Sequence, residues 1–144
     1  MKISTKGRYA LRVMLDLAEH QTDGFTSLKE IAQRQGISKK YLEQIIPALL
    51  KADYLRAGRG AQGGYRLTRP AEQYTVGEIL RLTEGPLVPV DCVEQDSFCV
   101  RSADCAALPI WKGLTVLINN YLNGISLQDM LDQQREHDAD NYMI

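Results

Sequence analysis

The chain has 144 residues, of which 44% are hydrophobic and 24% are charged. These proportions are typical of a single globular domain, with or without a small appended element, and they exclude a largely disordered, collagen-like or membrane-embedded protein. Because neither a signal peptide nor an apolar span of ~20 residues is present, we expect a cytoplasmic protein with no membrane partner.

The net charge of −1 hides a strong division between the two halves. Residues 1–69 hold thirteen basic and six acidic side chains, whereas residues 70–144 hold four basic and twelve acidic ones. A basic half of this kind indicates contact with a polyanion such as nucleic acid.

The first third of the chain predicts two helices. Residues 4–20 carry apolar side chains at helical spacing, and the pattern breaks at residues 22–24. Ser27 followed by Glu30 is a capping-box signature, in which each side chain bonds a backbone N–H of the other. It predicts a short second helix that stops at Gly36.

A third helix and a hairpin follow. Ser38 is a predicted N-cap, and Pro47 predicts a kink or an early end because it removes a backbone hydrogen bond. Residues 54–57 and 65–68 alternate between apolar and polar side chains and flank a glycine-rich stretch at 58–64, a pattern that predicts a β-hairpin.

The last part of the chain predicts more helix around a long loop. Residues 75–84 form a predicted helix, and Pro109 suits the first turn of a longer one. Ser126 and Asp129 predict another cap, and the polar tail from Gln133 is expected to be mobile. The predicted division is a winged helix-turn-helix at 1–84, a cysteine-containing loop at 85–108, a dimerisation helix with a short following helix at 109–132, and a tail at 133–144.

The order helix, helix, turn, helix, hairpin predicts a winged helix-turn-helix, a mostly α fold with a small β-hairpin. Its third helix would enter the major groove of double-stranded DNA, and its exposed face offers Lys39, Lys40, Tyr41, Glu43, Gln44 and Lys51. Arg59, between two glycines, suits the minor groove, and Arg56, Arg66 and Arg69 line the same hairpin. The alternative is a packing unit with a solvated basic face, or a module for contacting proteins.

The three cysteines, Cys92, Cys99 and Cys105, lie in the loop with C-x6-C-x5-C spacing. In a cytoplasmic chain this grouping favours metal or redox chemistry, and thiolates suit iron–sulfur clusters or zinc. The absence of a C-x2-C pair disfavours structural zinc, and the cysteines could also be small hydrophobic residues. A fourth ligand would come from nearby acids or from distant histidines: Asp91, Glu94, Asp96, Asp104, His20 or His137. Without a C-x-x-C pair, a phosphate loop or a Ser/His/Asp arrangement, we expect no enzyme.

Several strings of the chain resemble the IscR/NsrR family of bacterial winged-helix regulators that bind an iron–sulfur cluster. The resemblance runs from Met1 to about Met130. Its motifs lie at residues 4–10, 14–16, 35–38, 41–45, 63–65 and 76–79, and in the cysteine loop before Trp111.

This resemblance implies a homodimer that binds a pseudo-palindromic operator, with the long C-terminal helix crossing its partner. The implied interface residues are Leu114, Leu117, Ile118, Tyr121 and Leu122. The resemblance also assigns base reading to Ser38, Glu43 and Gln44, and a wing contact to Arg59. It assigns cluster ligation to Cys92, Cys99 and Cys105, with [2Fe–2S] favoured over [4Fe–4S].

Two features depart from the family pattern. The gap between the first two cysteines is x6 where x5 is usual, and Leu108 stands where close relatives have a histidine ligand. Arg8 occupies the stretch where some members use an acidic residue of the other subunit. The fourth ligand therefore stays open. So does the alternative of a cluster-free regulator that uses cysteine thiols or a partner protein as its signal.

Overall fold

The computed structural model describes residues 1–21, 24–94 and 99–142. It has the winged helix-turn-helix architecture predicted above, followed by two further helices. Its helices are α1 (Thr5–Glu19), α2 (Leu28–Gln35), α3 (Lys39–Lys51), α4 (Val76–Glu84), α5 (Leu108–Asn123) and α6 (Leu127–Tyr142). Its strands are β1 (Leu55–Gly58) and β2 (Gly64–Leu67), and single 3-10 turns lie at Ala71–Gln73 and Asp91–Val93. Among the described helices, none is both long and apolar enough to cross a membrane.

Side-chain caps fix where the first helices begin. The Ser27 hydroxyl accepts from the Glu30 N–H at 3.2 Å, and the Glu30 carboxylate accepts from the Ser27 N–H at 2.9 Å, which is the predicted capping box. Gly36 ends α2 in the left-handed conformation with φ of 64°, and Ser38 caps α3. The turn between α2 and α3 is thus set by local chemistry. The predicted break at residues 22–23 lies outside the described residues.

The early end predicted at Pro47 does not occur, since α3 continues to Lys51. Pro47 is exposed, and the carbonyl that loses its partner belongs to Glu43, which is also exposed, so water can satisfy it. The last turn is held instead by burial of Ile45, Ile46 and Leu49. Tertiary packing of this apolar face outweighs the cost of one missing hydrogen bond.

The hairpin is antiparallel and pairs Leu55 with Leu67 and Gly58 with Gly64. Tyr65 in β2 also pairs with Thr26 through two backbone hydrogen bonds. The Thr26 N–H donates to the Tyr65 carbonyl at 2.9 Å, and the Tyr65 N–H donates to the Thr26 carbonyl at 2.8 Å. A Cβ on Gly64 would lie 2.1 Å from the Thr26 carbonyl oxygen. Glycine is therefore required where the wing meets the segment before α2.

The C-terminal helix differs from its prediction. Instead of a short helix ending near residue 132, α6 continues to Tyr142, so residues 133–142 are helical. It begins with the predicted pair, in which the Ser126 N–H donates to Asp129 at 2.9 Å and the Asp129 N–H donates to Ser126 at 3.0 Å. Leu127 and Leu131 are buried in the hydrophobic core that α1, α2, α3 and the hairpin form. Helix α6 extends because these two residues anchor its first turns, which the polar composition of the tail did not indicate.

Candidate nucleic-acid interface and cysteine loop

The first turns of α3 present an exposed polar face. Ser38, Lys39, Lys40, Glu43 and Gln44 are all exposed. Ser38 accepts a hydrogen bond from the Tyr41 N–H at 3.1 Å, which leaves its hydroxyl hydrogen available. This face therefore presents one hydroxyl donor, two lysine cations, one carboxylate acceptor and one amide to a DNA groove.

Tyr41 is placed differently from its neighbours on α3. It is half-buried, and its ring packs edge-to-face on Tyr9 with centroids 5.2 Å apart. The Arg12 guanidinium lies 5.2 Å from the centroid of the Tyr9 ring. Tyr41 thus joins α3 to α1, and only part of it can reach a ligand.

The hairpin tip carries Arg59, which is exposed. Gly60 has φ of 91°, and its carbonyl accepts from the Gly63 N–H at 3.0 Å, so the tip is a tight turn that most side chains would strain. The backbone of Gly58 lies against the Phe25 ring, where a Cβ would come within 2.6 Å. The wing therefore holds one arginine at its end.

Two of the other hairpin arginines are stacked on aromatic rings. Arg66 lies 5.1 Å from the Phe25 centroid, and Arg69 lies 4.2 Å from that of Tyr74. Arg56 is exposed. The sequence assigns all four arginines to the hairpin region. The tertiary structure shows in addition that Arg66 and Arg69 stack on rings, whereas Arg59 is exposed at the tip.

The three cysteines are half-buried and free of disulfides. Cys92 lies in the second 3-10 turn, and a cavity of about 250 Å³ beside it is lined by Ser102, Ala103, Leu108 and Lys112. Among the described residues, no group of three His, Cys, Asp or Glu side chains lies close enough to hold a metal ion. Cysteine thiolates suit an iron–sulfur cluster in kind, but the loop does not gather them in this conformation.

The candidate fourth ligands are dispersed. Asp91, Glu94 and Asp104 are exposed, and Asp96 lies outside the described residues. The half-buried His20 contacts the Asp16 carbonyl at 2.9 Å, and His137 lies on α6 within 3.4 Å of Asn141. Neither histidine belongs to the cysteine loop. Leu108, which the resemblance places where close relatives have a histidine ligand, lines the cavity beside Cys92.

Helix α5 has one apolar face turned to solvent. Ile110, Leu114, Leu117 and Tyr121 have exposed fractions of 63, 38, 68 and 69%. Their spacing of four, three and four residues puts them in one stripe, as in a coiled coil. Ile118 and Leu122, which were also predicted at the interface, are half-buried and pack within the chain against a cluster of Val76, Leu80 and Leu87.

Comparison with known proteins identifies the chain. A family model described as "Rrf2: Iron-dependent Transcriptional regulator" matches residues 3–133. The chain belongs to the Rrf2 family. It is 41% identical over 131 residues to the Rrf2 protein of Nitratidesulfovibrio vulgaris, covering 91% of this chain and 87% of that relative.

Two solved structures of Rrf2-like regulators match this fold. The global cysteine regulator CymR of B. subtilis superposes with a TM-score of 0.78 and 36% identity, covering 92% of this chain and 98% of CymR. The T. potens IscR structure superposes with a TM-score of 0.75 and 41% identity, covering 95% and 90%. These matches confirm the winged-helix prediction and the resemblance. The protein is a DNA-binding transcription regulator of the Rrf2 family and not an enzyme.

Two hydrogen-bond networks that position helices in this Rrf2 protein could not be predicted from the sequence. Buried Asp16 accepts from the Nε and Nη2 of Arg34, at 3.0 and 2.8 Å, and from the Gln35 amide at 2.9 Å, which fastens α2 to α1. Burial alone raises the pKa of Asp16, but the Arg34 and Gln35 hydrogen bonds together hold it below its ordinary value. Arg34 and Gln35 lie 18 and 19 residues after Asp16 in the sequence, so the helical periodicity of α1 does not indicate these contacts.

The second network joins α4 to α5. Arg81 donates to Asn119 at 2.9 Å and to Asn123 at 2.6 Å. Asn119 in turn donates to the Leu87 carbonyl at 2.9 Å, where the cysteine loop begins. A polar chain therefore connects the start of that loop with α4, which packs on α1 of the DNA-binding half.

Proposed function

We propose that the protein is a homodimeric regulator that reads duplex DNA with α3 and the wing and senses iron–sulfur cluster status through Cys92, Cys99 and Cys105. The observation that carries the DNA-binding part is the exposed face at the start of α3. Glu43 and Gln44 project from it with no hydrogen-bond partner among the described residues, beside two lysines. Such side chains are costly to order without a ligand, and they match base edges in kind.

Each DNA contact has a distinct expected role. Gln44 can pair with adenine through two hydrogen bonds, and Glu43 can accept from the cytosine amino group. Lys39 and Lys40 are placed to hold phosphates, which adds affinity without sequence information. Arg59, at the end of the wing, suits a narrow minor groove.

The exposed stripe of α5 supports a dimer. Four large apolar side chains on one helix face are unusual at a solvent surface, and a second copy related by a twofold axis would cover them with its own stripe. In the proposal, Ile110, Leu114, Leu117 and Tyr121 form this interface. Two copies of α3 would then read the two halves of a pseudo-palindromic operator.

The cysteine loop supports the sensing part. When bound, an iron–sulfur cluster supplies redox-active iron that is held by thiolates, and the three cysteines are the donors this chain offers. Binding by all three would require the loop to draw its thiols together. Residues of the loop would thereby become ordered around the start of α5, in a fold-on-ligation change of the kind seen in many metal sites.

The polar chain through Asn119 and Arg81 supports coupling between loop and DNA. Asn119 holds the loop at Leu87 and α4 at Arg81. A rearranged loop would shift these bonds and, through α4, the position of α1. A ligand state regulates DNA binding only if it favours one of two such conformations.

A second candidate function keeps the DNA binding and drops the cluster. It is favoured by the fit to CymR, described as a cysteine regulator, and by Leu108, which supplies no ligand beside Cys92. In this case the free, half-buried thiols would respond to oxidants, or the loop would dock a partner protein.

Anaerobic reconstitution with ferrous iron and sulfide distinguishes the two. Cluster sensing predicts a coloured protein with iron and sulfide in stoichiometric amounts, and an altered Kd for selected DNA when the group is bound. Changing Cys92, Cys99 and Cys105 to Ala should bring iron to background while leaving apo-protein DNA binding intact. A colourless wild-type protein whose DNA affinity changes on thiol oxidation would instead establish the second function.

A further inference from the structure

A cleft away from α3 is lined by four arginines. Arg56, Arg66 and Arg69 approach it from the hairpin and the segment after it, and Arg135 approaches from α6. The cleft encloses about 530 Å³ and lies between the end of α1, the base of the wing and the start of α6. Its volume is within the range of small-ligand sites.

The arginines are held close together without matching carboxylates. Arg56 and Arg66 are directly opposite each other in the hairpin, an unfavourable cross-strand pair of like charges. Among the described residues, neither Arg56 nor Arg135 has a carboxylate oxygen within 4 Å. Arg69 has only Glu78, at 4.0 Å.

Two of these guanidinium groups are fixed in place before any ligand arrives. Arg66 is stacked on Phe25, while Arg69 lies between Tyr54 and Tyr74, with its guanidinium carbon 5.0 and 4.2 Å from their ring centroids. Stacking removes rotamer freedom and leaves the N–H edges of the guanidinium plane available. Two of the four arginines that line the cleft therefore have restrained guanidinium groups, so a hydrogen bond from either one to an anion would cost less side-chain entropy than one from a free arginine.

The rest of the lining limits what fits. Leu67 and Leu131 are almost fully buried beneath the cleft, Gln128 contributes an amide, and Glu19 and Glu72 add two negative charges to the four positive ones. The lining therefore keeps an excess of positive charge. This excess suits a ligand with a strongly anionic group, and guanidinium groups match phosphate oxygens in geometry.

We propose that this cleft binds the phosphate group of a small phosphorylated metabolite. The proposal depends neither on a cluster nor on the dimer. Its lining residues come from α1, the wing base, the segment after the wing and α6, and none comes from α3. The volume of about 530 Å³ can hold a sugar phosphate or a nucleoside monophosphate.

Isothermal titration calorimetry tests the proposal on the full chain. The probes are inorganic phosphate and adenosine 5′-monophosphate, with adenosine as the phosphate-free control. We expect saturable binding of a phosphate-bearing probe and none of adenosine. Arg66→Gln and Arg135→Gln should each weaken it about tenfold or more, the loss of a charged hydrogen bond. Arg101→Gln, an exposed arginine of the cysteine loop, removes the same charge elsewhere and should leave binding unchanged.

If Arg66→Gln fails to fold, Arg135→Gln still tests the proposal. Arg135 is exposed on α6, so we expect its replacement to leave the fold intact. Absence of saturable binding by both phosphate probes would overturn the proposal. So would binding that Arg135→Gln and Arg101→Gln reduce equally, because that indicates nonspecific attraction. If phosphate does not bind while Arg135→Gln weakens duplex DNA binding as much as Arg59→Ala does, the cleft belongs to the DNA interface and the proposal is wrong.

Discussion

Arg34 forms a bidentate ion pair with the carboxylate of Asp16. Its Nε lies 3.0 Å from one carboxylate oxygen and its Nη2 lies 2.8 Å from the other. The Asp16 side chain is fully buried, whereas that of Arg34 is 31% exposed. Together with Gln35, this pair determines how α2 sits on α1, and α2 in turn supports the turn into α3. The orientation of α3, the helix proposed to read DNA, thus depends on the buried Asp16 carboxylate.

Changing Asp16 to Asn should lower the free energy of unfolding by about 3 kcal/mol, because it leaves Arg34 without its buried partner. Urea denaturation at pH 7 measures the loss. Glu136→Gln, an exposed carboxylate on α6, is the matched control and should stay within about 0.5 kcal/mol of wild type. An equal effect of both substitutions would contradict this role for Asp16.

The same pair sets a pH dependence. Because the folded-state pKa of Asp16 lies below its ordinary value of 3.8, its contribution to stability is present above that value and is lost as pH falls through the lowered one. Wild type should therefore lose more stability than Asp16→Asn between pH 5 and about pH 2. Parallel denaturation curves of the two proteins across this range would show that the pKa of Asp16 is not lowered.

Replacing Leu117 or Tyr121 by Glu should dissociate the proposed dimer, since a charge would be buried in its apolar interface. Sedimentation velocity measures the change in mass. Val100→Glu places the same charge at a side chain that is 101% exposed outside α5, and this variant should stay dimeric. A monomeric wild type would contradict the proposed dimer, and dimers of all three variants would place the interface elsewhere.

Gln44→Ala should relax the base preference at one position of the operator, at a cost of about 1–3 kcal/mol for the preferred base. Arg59→Ala should weaken binding at the flanking minor groove. Selection from a random duplex pool, followed by Kd measurement on the selected site, detects both. Arg101→Ala controls for loss of positive charge. If both variants bind with wild-type Kd and preference, α3 and the wing are wrongly placed on DNA.

Leu108→His should restore a ligand position beside Cys92 if three cysteines hold a cluster. We expect reconstituted protein with a changed visible spectrum and slower loss of iron to a chelator, because neutral imidazole binds iron well. Leu108→Ala removes the same side chain without adding a donor and should not slow that loss. Identical spectra and iron release in both variants would place the fourth ligand elsewhere.

Local signals predicted much of the fold. Ser27 with Glu30 and Ser38 with the following turn are chemical patterns only a few residues long, so they could be found without tertiary information. The length of α6 could not, because Leu127 and Leu131 look unremarkable until their packing against the core is known. The early end predicted at Pro47, as the alternative to a kink, was wrong because the buried neighbours of Pro47 outweigh the loss of one hydrogen bond.

In the candidate DNA interface and the cysteine loop, too, some features follow from local sequence and others depend on tertiary packing. Exposure of Glu43 and Gln44 follows from helical periodicity, and the structure agrees. Which hairpin arginines are stacked depends on Phe25 and Tyr74, which approach from other parts of the chain. The arrangement of the cysteines depends on how a loop closes, and no spacing rule specifies that.

The join between α5 and α6 determines how any signal can move the molecule. The Ile125 carbonyl accepts from the Val76 N–H at 2.9 Å, and the Leu127 N–H donates to the Tyr74 carbonyl at 3.0 Å, so the C-terminal end of α5 is tied to the start of α4. The 16 residues of α5 extend about 24 Å from this attachment to the cysteine loop. A rearranged loop would therefore act on α5 at the end of the helix that lies farthest from its attachment to α4.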